Sequence, residues 1–203
     1  MRWLTRSATD VPAGDAWLSA REREVQAGLR IAKRRDDWRL GRFTAKALLA
    51  PAPVEVLAAP DGAPEAYVDG IRLACGLSLS HRAGRALAVV GEGRVGCDLE
   101  WVEPRSRAFI EDWLAPAERA WAGDDPLLVN LAWTAKEAAA KLHREGLRLD
   151  VRRAIAVPGD GPGEWRCLTV DWGAHQDHGW WRADDGWVMA VVSDPPDHVR
   201  PQW

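Results

Sequence analysis

Cysteine is scarce and scattered in this 203-residue chain. Cys75, Cys97 and Cys167 form no C-x-x-C pair, which argues against a disulfide framework and for reduced thiols in a cytoplasmic protein. No apolar run reaches the length of a membrane span, and the opening "MRWLTRSATDVPAGD" lacks the apolar segment of a signal peptide. Neither charge sign dominates: the formal net charge of -3 argues against nonspecific nucleic-acid binding by the whole surface. Tyrosine and phenylalanine are nearly absent, with one and two copies, yet there are thirteen tryptophans, so large aromatic anchors come from one residue type. The length is enough for one domain with a substantial core or for two small halves.

The pattern along the chain is helices, a strand pair, helices, then strands. Residues 17–50 read as mainly helical with an interruption near Asp36 and Asp37, and Ser19 with Glu22 makes a capping box at the start. A Pro/Gly-punctuated stretch follows, with room for a short strand at 54–57. Residues 86–90 and 95–102 read as a strand pair joined through Gly91–Gly93, with a short helix start at "SHRAGR" before it. Helical spacing recurs over 104–123 and over 125–146, the latter alanine-rich and stopped by Gly146. In the first of these, Phe109, Trp113 and Trp121 read as core, with a docking surface as the alternative. "WRCLTVDW", "HGWWRA" and "GWVMAVVSD" read as three closing strands. The fold class is α/β (α+β), in two halves of similar size, 1–93 and 94–203, with no sequence repeat to prove duplication.

Two short stretches carry chemistry. In "VGCDLE" (95–100), strand alternation puts Asp98 and Glu100 on one face and Cys97 and Leu99 on the other. Paired carboxylates suit a hard divalent cation, which takes oxygen ligands; a solvated strand face is the plain alternative. In "WTAKEAAAK" (133–141), Glu137 and Lys141 share a helix face and Lys136 stands about 100° round it. Alone, that helix would signify only a surface ion pair.

Basic and small polar residues lie upstream. Arg30, Lys33, Arg34, Arg35, Arg39, Arg42 and Lys46 face only Asp36 and Asp37 within 30–46, a solvated helix face or a clamp for a multiply charged anion. In "SLSHRAGR", Ser80 and His81 precede Gly84, and small polar residues at a strand end suit phosphate contacts. Separate basic groups and a carboxylate trio match a magnesium-bound pyrophosphate carrying an extra phosphate.

"VGCDLE" followed about forty residues later by "WTAKEAAAK" resembles the signature of the 4'-phosphopantetheinyl transferase superfamily. The length, "SLSH" and "RRDDWRLGRFTAK" are similar to the larger, surfactin-type branch, in which one chain carries two similar halves in a pseudo-twofold arrangement. The resemblance implies transfer of 4'-phosphopantetheine from coenzyme A to a serine of an apo acyl or peptidyl carrier protein, releasing adenosine 3',5'-bisphosphate, by a cytoplasmic monomer. It implies Mg2+ held by Asp98, Glu100 and Glu137, with Glu137 also activating the serine hydroxyl. Lys136 and Lys141 would face the pyrophosphate, Lys141 assisting the leaving group. Ser80 and His81 would contact the nucleotide end, and Arg34 and Arg42 occupy the matching basic positions.

Two positions depart from the family pattern. Cys97 replaces the usual Ile or Val, and Asp61 stands where a basic phosphate contact is expected. A magnesium-dependent phosphohydrolase using the same carboxylates, and a noncatalytic coenzyme A- or carrier-binding module, are the competing readings.

Overall fold

A computed structural model describes residues 1–145, 149–161 and 163–201. Two antiparallel sheets pack face to face, each covered outside by one long helix. The first sheet has the order β12-β1-β6-β5 and comprises β1 (Arg2–Ser7), β5 (Gly76–Arg82), β6 (Arg85–Gly91) and β12 (Arg200–Pro201). All its pairings are antiparallel except the short parallel β1–β12 contact. The second has the order β7-β11-β10-β9-β8: β7 (Arg94–Trp101), β8 (Ile155–Pro158), β9 (Arg166–Asp171), β10 (Gln176–Asp184) and β11 (Trp187–Asp194). A small third sheet joins β2 (Glu55–Ala58), β3 (Pro64–Val68) and β4 (Ile71–Arg72).

Side-chain alternation explains the layers. On β6, Leu87 and Val89 meet Val95, Cys97 and Leu99 of β7 and Met189 and Val191 of β11, forming the core between the sheets. Ala88 and Val90 point the other way, onto Ala45 and Leu48 of α2 (Ala32–Leu49). On β11, Val188, Ala190 and Val192 pack on Leu131, Ala135, Ala138 and Leu142 of α5 (Pro126–His143). With both faces covered, β6 and β11 are nearly continuous apolar runs rather than alternating ones.

Shorter helices complete the frame: α1 (Ala20–Ala27), α3 (Arg107–Trp113) and α4 (Pro116–Ala122). The Ser19–Glu22 capping box is present at α1. The expected break near Asp36 and Asp37 falls instead at residues 28–31; α2 runs through both aspartates, and Lys33 pairs with Asp37 at 2.6 Å on its surface. The helix read over 104–123 is two helices. Pro116 starts α4 because a proline at N1 forfeits no helical hydrogen bond, whereas inside a helix it would. "SHRAGR" is not a helix start but the β5–β6 hairpin, turned by Ala83 and Gly84, both at positive φ. β1 is an N-terminal strand that the sequence pattern does not disclose. α5 ends with Arg144 in the left-handed region, and the predicted stop at Gly146 lies outside the described residues. The closing three strands match their sequence signals closely.

One buried arrangement occurs twice. Glu22 of α1 accepts from the backbone N–H groups of Ser19 and Val56 and from Lys46 of α2, at 2.8, 2.9 and 2.6 Å. Glu118 of α4 accepts from Ala115 N–H, Ala156 N–H and Lys136 of α5, at 2.7, 2.7 and 2.6 Å. In each case one carboxylate joins a short helix, a strand and a long helix. Both glutamates are fully buried and satisfied, as a desolvated charge must be.

Candidate active site

The site lies where edge strands β5 and β7 run side by side under α5. No backbone ladder joins these strands, so serine side chains do. Cys97 N–H donates to Ser78 Oγ at 3.0 Å, and Ser80 Oγ donates to Asp98 Oδ1 at 2.6 Å. "SLSH" thereby fixes the acidic strand against the other sheet. Cys97 is fully buried, and burial pushes its thiol pKa up to about 11, so it is a packing residue and no thiolate nucleophile.

α5 brings Lys141 over β7, where its ammonium donates to Cys97 O at 3.0 Å and to Asp98 Oδ1 at 2.7 Å. Burial alone would lower the Lys141 pKa. Asp98, the Cys97 side chain and Glu137 outweigh it, so the pKa is raised and the group stays cationic. The other carboxylate oxygen, Asp98 Oδ2, is buried with no hydrogen-bond partner among the described residues. Glu100 is held by Arg105 at 2.9 Å and Arg82 at 3.3 Å. Burial and then the charge of Asp98 raise its pKa, against the pull of both arginines. Glu137 finds no hydrogen-bond donor among the described residues; burial, then Asp98 and Glu100, raise its pKa despite Lys141.

Three neighbouring carboxylates, with burial and the charge of Asp98 opposing ionisation of Glu100 and Glu137 and with Asp98 carrying an orphaned buried oxygen, fit a hard divalent cation, and the all-oxygen donor set suits Mg2+. Their oxygens are not drawn together in this structure. Asp98 is turned to Ser80 and Lys141, and Glu100 to the arginines, while among the described residues the trio whose ligand atoms all lie within 4.8 Å is His143, His175 and Asp177.

Glu137 and Lys141 open into a cleft of about 1220 Å³, whose walls include Ser78, Trp113, Trp133, Asp61 and Arg144. That volume exceeds an ordinary drug-sized pocket and suits an extended, nucleotide-sized ligand. Trp133 stands edge-on to Phe109 and Trp113, each at 5.3 Å, so the tryptophan that opens "WTAKEAAAK" is part of the wall as well as of the packing. Phe109, Trp113 and Trp121 are only partly buried, against Leu114, Ala122, Val129 and Ala132.

Other predicted residues sit differently. Lys136 does not line the cleft. Its ammonium is fully buried between Glu118 and the Trp113 carbonyl, at 2.6 and 2.8 Å, and so has no surface to offer a pyrophosphate. Ser80 faces Asp98 rather than the cleft. His81 is partly exposed, with Nδ1 4.0 Å from Asp37. Burial and the cations Lys141 and Lys33 lower its pKa, with Asp37 opposing. Arg34 is exposed on the first turn of α2. Arg42 donates to Val56 O at 3.2 Å and lies 4.8 Å from the Trp38 ring centroid; burial lowers its pKa to about 10, so it remains a cation. Of the flanking basic residues, Arg39 is held by Asp15 and the Pro12 and Gly14 carbonyls.

Some contributors escape sequence reading. Arg82 and Arg105 hold Glu100, Ser78 braces β7, and Arg144 reaches Asp61 through two hydrogen bonds of 2.8 and 2.9 Å. Ser78 was visible in "SLSH", but the arginines carry no local motif.

Residues 94–192, a little under half of the chain, match the family model of the 4'-phosphopantetheinyl transferase superfamily. The matched stretch is similar to that superfamily, a family of transferases, and it spans β7, α5 and the second sheet through most of β11. A search of curated proteins finds no match.

Proposed function

We propose that the protein transfers 4'-phosphopantetheine from coenzyme A to a serine of an acyl or peptidyl carrier protein. The observation that carries this reading is the stacking of the cationic Lys141 on Asp98, with Glu137 beside them at the wall of a nucleotide-sized cleft. The serine oxygen would bond to the phosphorus bearing the pantetheine, and the bond from that phosphorus to the bridging oxygen would break, leaving adenosine 3',5'-bisphosphate. Glu137, with its raised pKa, is suited to accept the serine proton. Lys141 donates to the charge that develops on the leaving phosphate. Asp98, Glu100 and Glu137 would hold Mg2+, which supplies charge neutralisation across the pyrophosphate when bound.

His81, Arg34 and Arg42 are proposed for the 3'-phosphate end of coenzyme A, and Ser80 for positioning Asp98. Lys136 is proposed as a structural residue, matching Lys46 in the repeated glutamate–lysine arrangement. That repetition, with one long helix over each sheet, supports two similar halves divided near residues 93 and 94 in the pseudo-twofold manner of the surfactin-type branch. The short β1–β12 pairing returns the end of the chain to the first half. Among the described residues no helix is long and apolar enough to cross a membrane, and we propose a monomer acting in the cytoplasm.

The test is intact-mass measurement of an apo carrier protein incubated with this protein, coenzyme A and Mg2+, with and without EDTA. A metal-dependent gain of roughly 340 Da, one phosphopantetheine, is expected from the group transfer. Adenosine bisphosphate released at an undiminished rate without carrier would instead establish hydrolysis.

A further inference from the structure

At the far end of α5 a second group of ligating side chains converges. His143 is the last residue of the helix, while His175 lies in the turn between β9 and β10, and Asp177 is on β10. The geometry points to a Zn2+ site formed by His143 Nε2, His175 Nε2 and the Asp177 carboxylate, with the fourth position open to water on the exposed side of His175.

Hydrogen bonding does not serve every contact of the arrangement well. His143 Nε2 lies 2.8 Å from Asp177 Oδ2 and 3.4 Å from His175 Nε2. The contact to the carboxylate needs a proton on His143 Nε2, and the contact between the rings needs a proton on one nitrogen only. If His143 carries it, that single N–H is claimed by both partners. If His175 carries it instead, the bare His143 nitrogen faces a carboxylate. If both carry one, two N–H groups face each other. A cation in their midst relieves every case, because both nitrogens and the carboxylate then act as acceptors.

The distances suit a tetrahedral ion. Zn–N and Zn–O bonds of about 2.0–2.1 Å put neighbouring ligand atoms about 3.3 Å apart. The separations here are 3.4 Å for His143–His175, 2.8 Å for His143–Asp177 Oδ2 and 3.9 Å for His175–Asp177 Oδ1; one ligand atom from each residue lies within 4.8 Å of the other two, so a small turn of the carboxylate brings a single oxygen to that edge. Two imidazoles and one carboxylate favour Zn2+ over the hard Mg2+ proposed for the all-oxygen trio.

Outer contacts already orient these ligands. Trp172 Nε1 donates to Asp177 Oδ2 at 2.7 Å, fixing the carboxylate. The Trp172 ring stacks on His175 at 6.1 Å and meets His143 edge-on at 5.5 Å. Asp177 and His143 are largely covered, with side-chain exposures of 7% and 15%, and His175 at 52% leaves a path for metal entry. The ion would clip the end of α5, two residues beyond Lys141, to the β9–β10 hairpin.

The test uses untagged full-length chain, stripped of metal by a chelator and returned to excess Mg2+ to occupy the acidic trio. Zn2+ is then titrated against a chromophoric chelator, and Co2+ is added in parallel as a spectroscopic probe. One Zn2+ per chain, a higher thermal midpoint with Zn2+, and visible Co2+ absorption of four-coordinate strength are expected. His175→Ala should weaken Zn2+ binding at least about tenfold and remove the Co2+ band, with an unchanged far-UV spectrum because His175 is half-exposed. His143→Ala and Asp177→Asn should lose the ion as well. Failure of the wild-type chain to retain Zn2+ in excess Mg2+, or wild-type affinity in His175→Ala, overturns the site.

Discussion

A Cβ on Gly96 would lie 2.0 Å from the backbone oxygen of Ala138 and 2.6 Å from the nitrogen of Leu142. α5 therefore rests backbone-to-backbone on β7 at this point, and only a glycine lets it. This contact lets Lys141 reach Asp98 and Cys97 O from the helix. Gly96→Ala must push the helix off the strand, so it should destabilise the fold by about 1–3 kcal/mol as an overpacked site. Transfer activity should fall even in the folded fraction, because Lys141 and Glu137 shift relative to Asp98. Urea unfolding together with kcat measured at low temperature checks both effects.

Glu137→Gln should abolish transfer yet stabilise the metal-free chain at neutral pH. The folded-state pKa of Glu137 is raised above its ordinary 4.5, so its charge opposes folding. Any stabilising effect of holding that proton is full below 4.5 and is lost as the pH rises through the raised value. The amide variant should then have the higher thermal midpoint at neutral pH in EDTA, and the gap should close below pH 4.5. A gap that persists unchanged in acid would exclude this electrostatic origin.

Lys136 and Lys141 should separate cleanly. Lys136→Ala leaves the fully buried Glu118 without its cation, and breaking such a pair costs about 3–5 kcal/mol. Its urea midpoint should collapse while the folded fraction keeps its KM for coenzyme A. Lys141→Ala should lower kcat by about 100-fold, the scale of losing one donor to developing charge. Steady-state kinetics on both variants, normalised to folded protein, distinguishes the roles.

Asp98→Ala and Glu100→Ala should each abolish transfer with the fold retained. Full activity in either folded variant would remove that residue from the metal site. Intact-mass assay and circular dichroism on the same samples provide the check.

Asp61 and Arg144 predict a gain. Arg144 lines the cleft but is occupied by two hydrogen bonds to Asp61 and lies 3.4 Å from Glu65. Asp61→Ala should leave that guanidinium held only by its longer contacts to Glu65, making it available to a substrate phosphate, and lower the KM for coenzyme A by about threefold, the scale of an exposed ion pair. Arg144→Ala should raise it. A titration with coenzyme A reads either change.

Much of this was legible in sequence because it depends on local pattern. Strand alternation placed Cys97 and Leu99 in the inter-sheet core and Asp98 opposite them, and the three closing strands carried their own signals. Helical spacing put Glu137 and Lys141 on one face, and both line the cleft. The sequence pattern does not disclose the split at Pro116 or the continuity of α2 through Asp36 and Asp37. Helical periodicity over 104–123 hides the proline break, while Asp36 is exposed and Asp37 pairs with Lys33, so neither acid interrupts α2.

Long-range pairing decided the rest. Nothing near Lys136 in the chain says that Glu118 and the Trp113 carbonyl will enclose it, and its helical angle alone leaves both fates open. Asp61 appeared as a missing cation until the fold brought Arg144 to it across 83 residues. His143 gains its partners His175 and Asp177 only because α5 ends beside the β9–β10 turn. A charged side chain's role depends on the counter-charge and dielectric it meets, and those are set by tertiary packing; which face it occupies is set by backbone period, which the sequence determines alone.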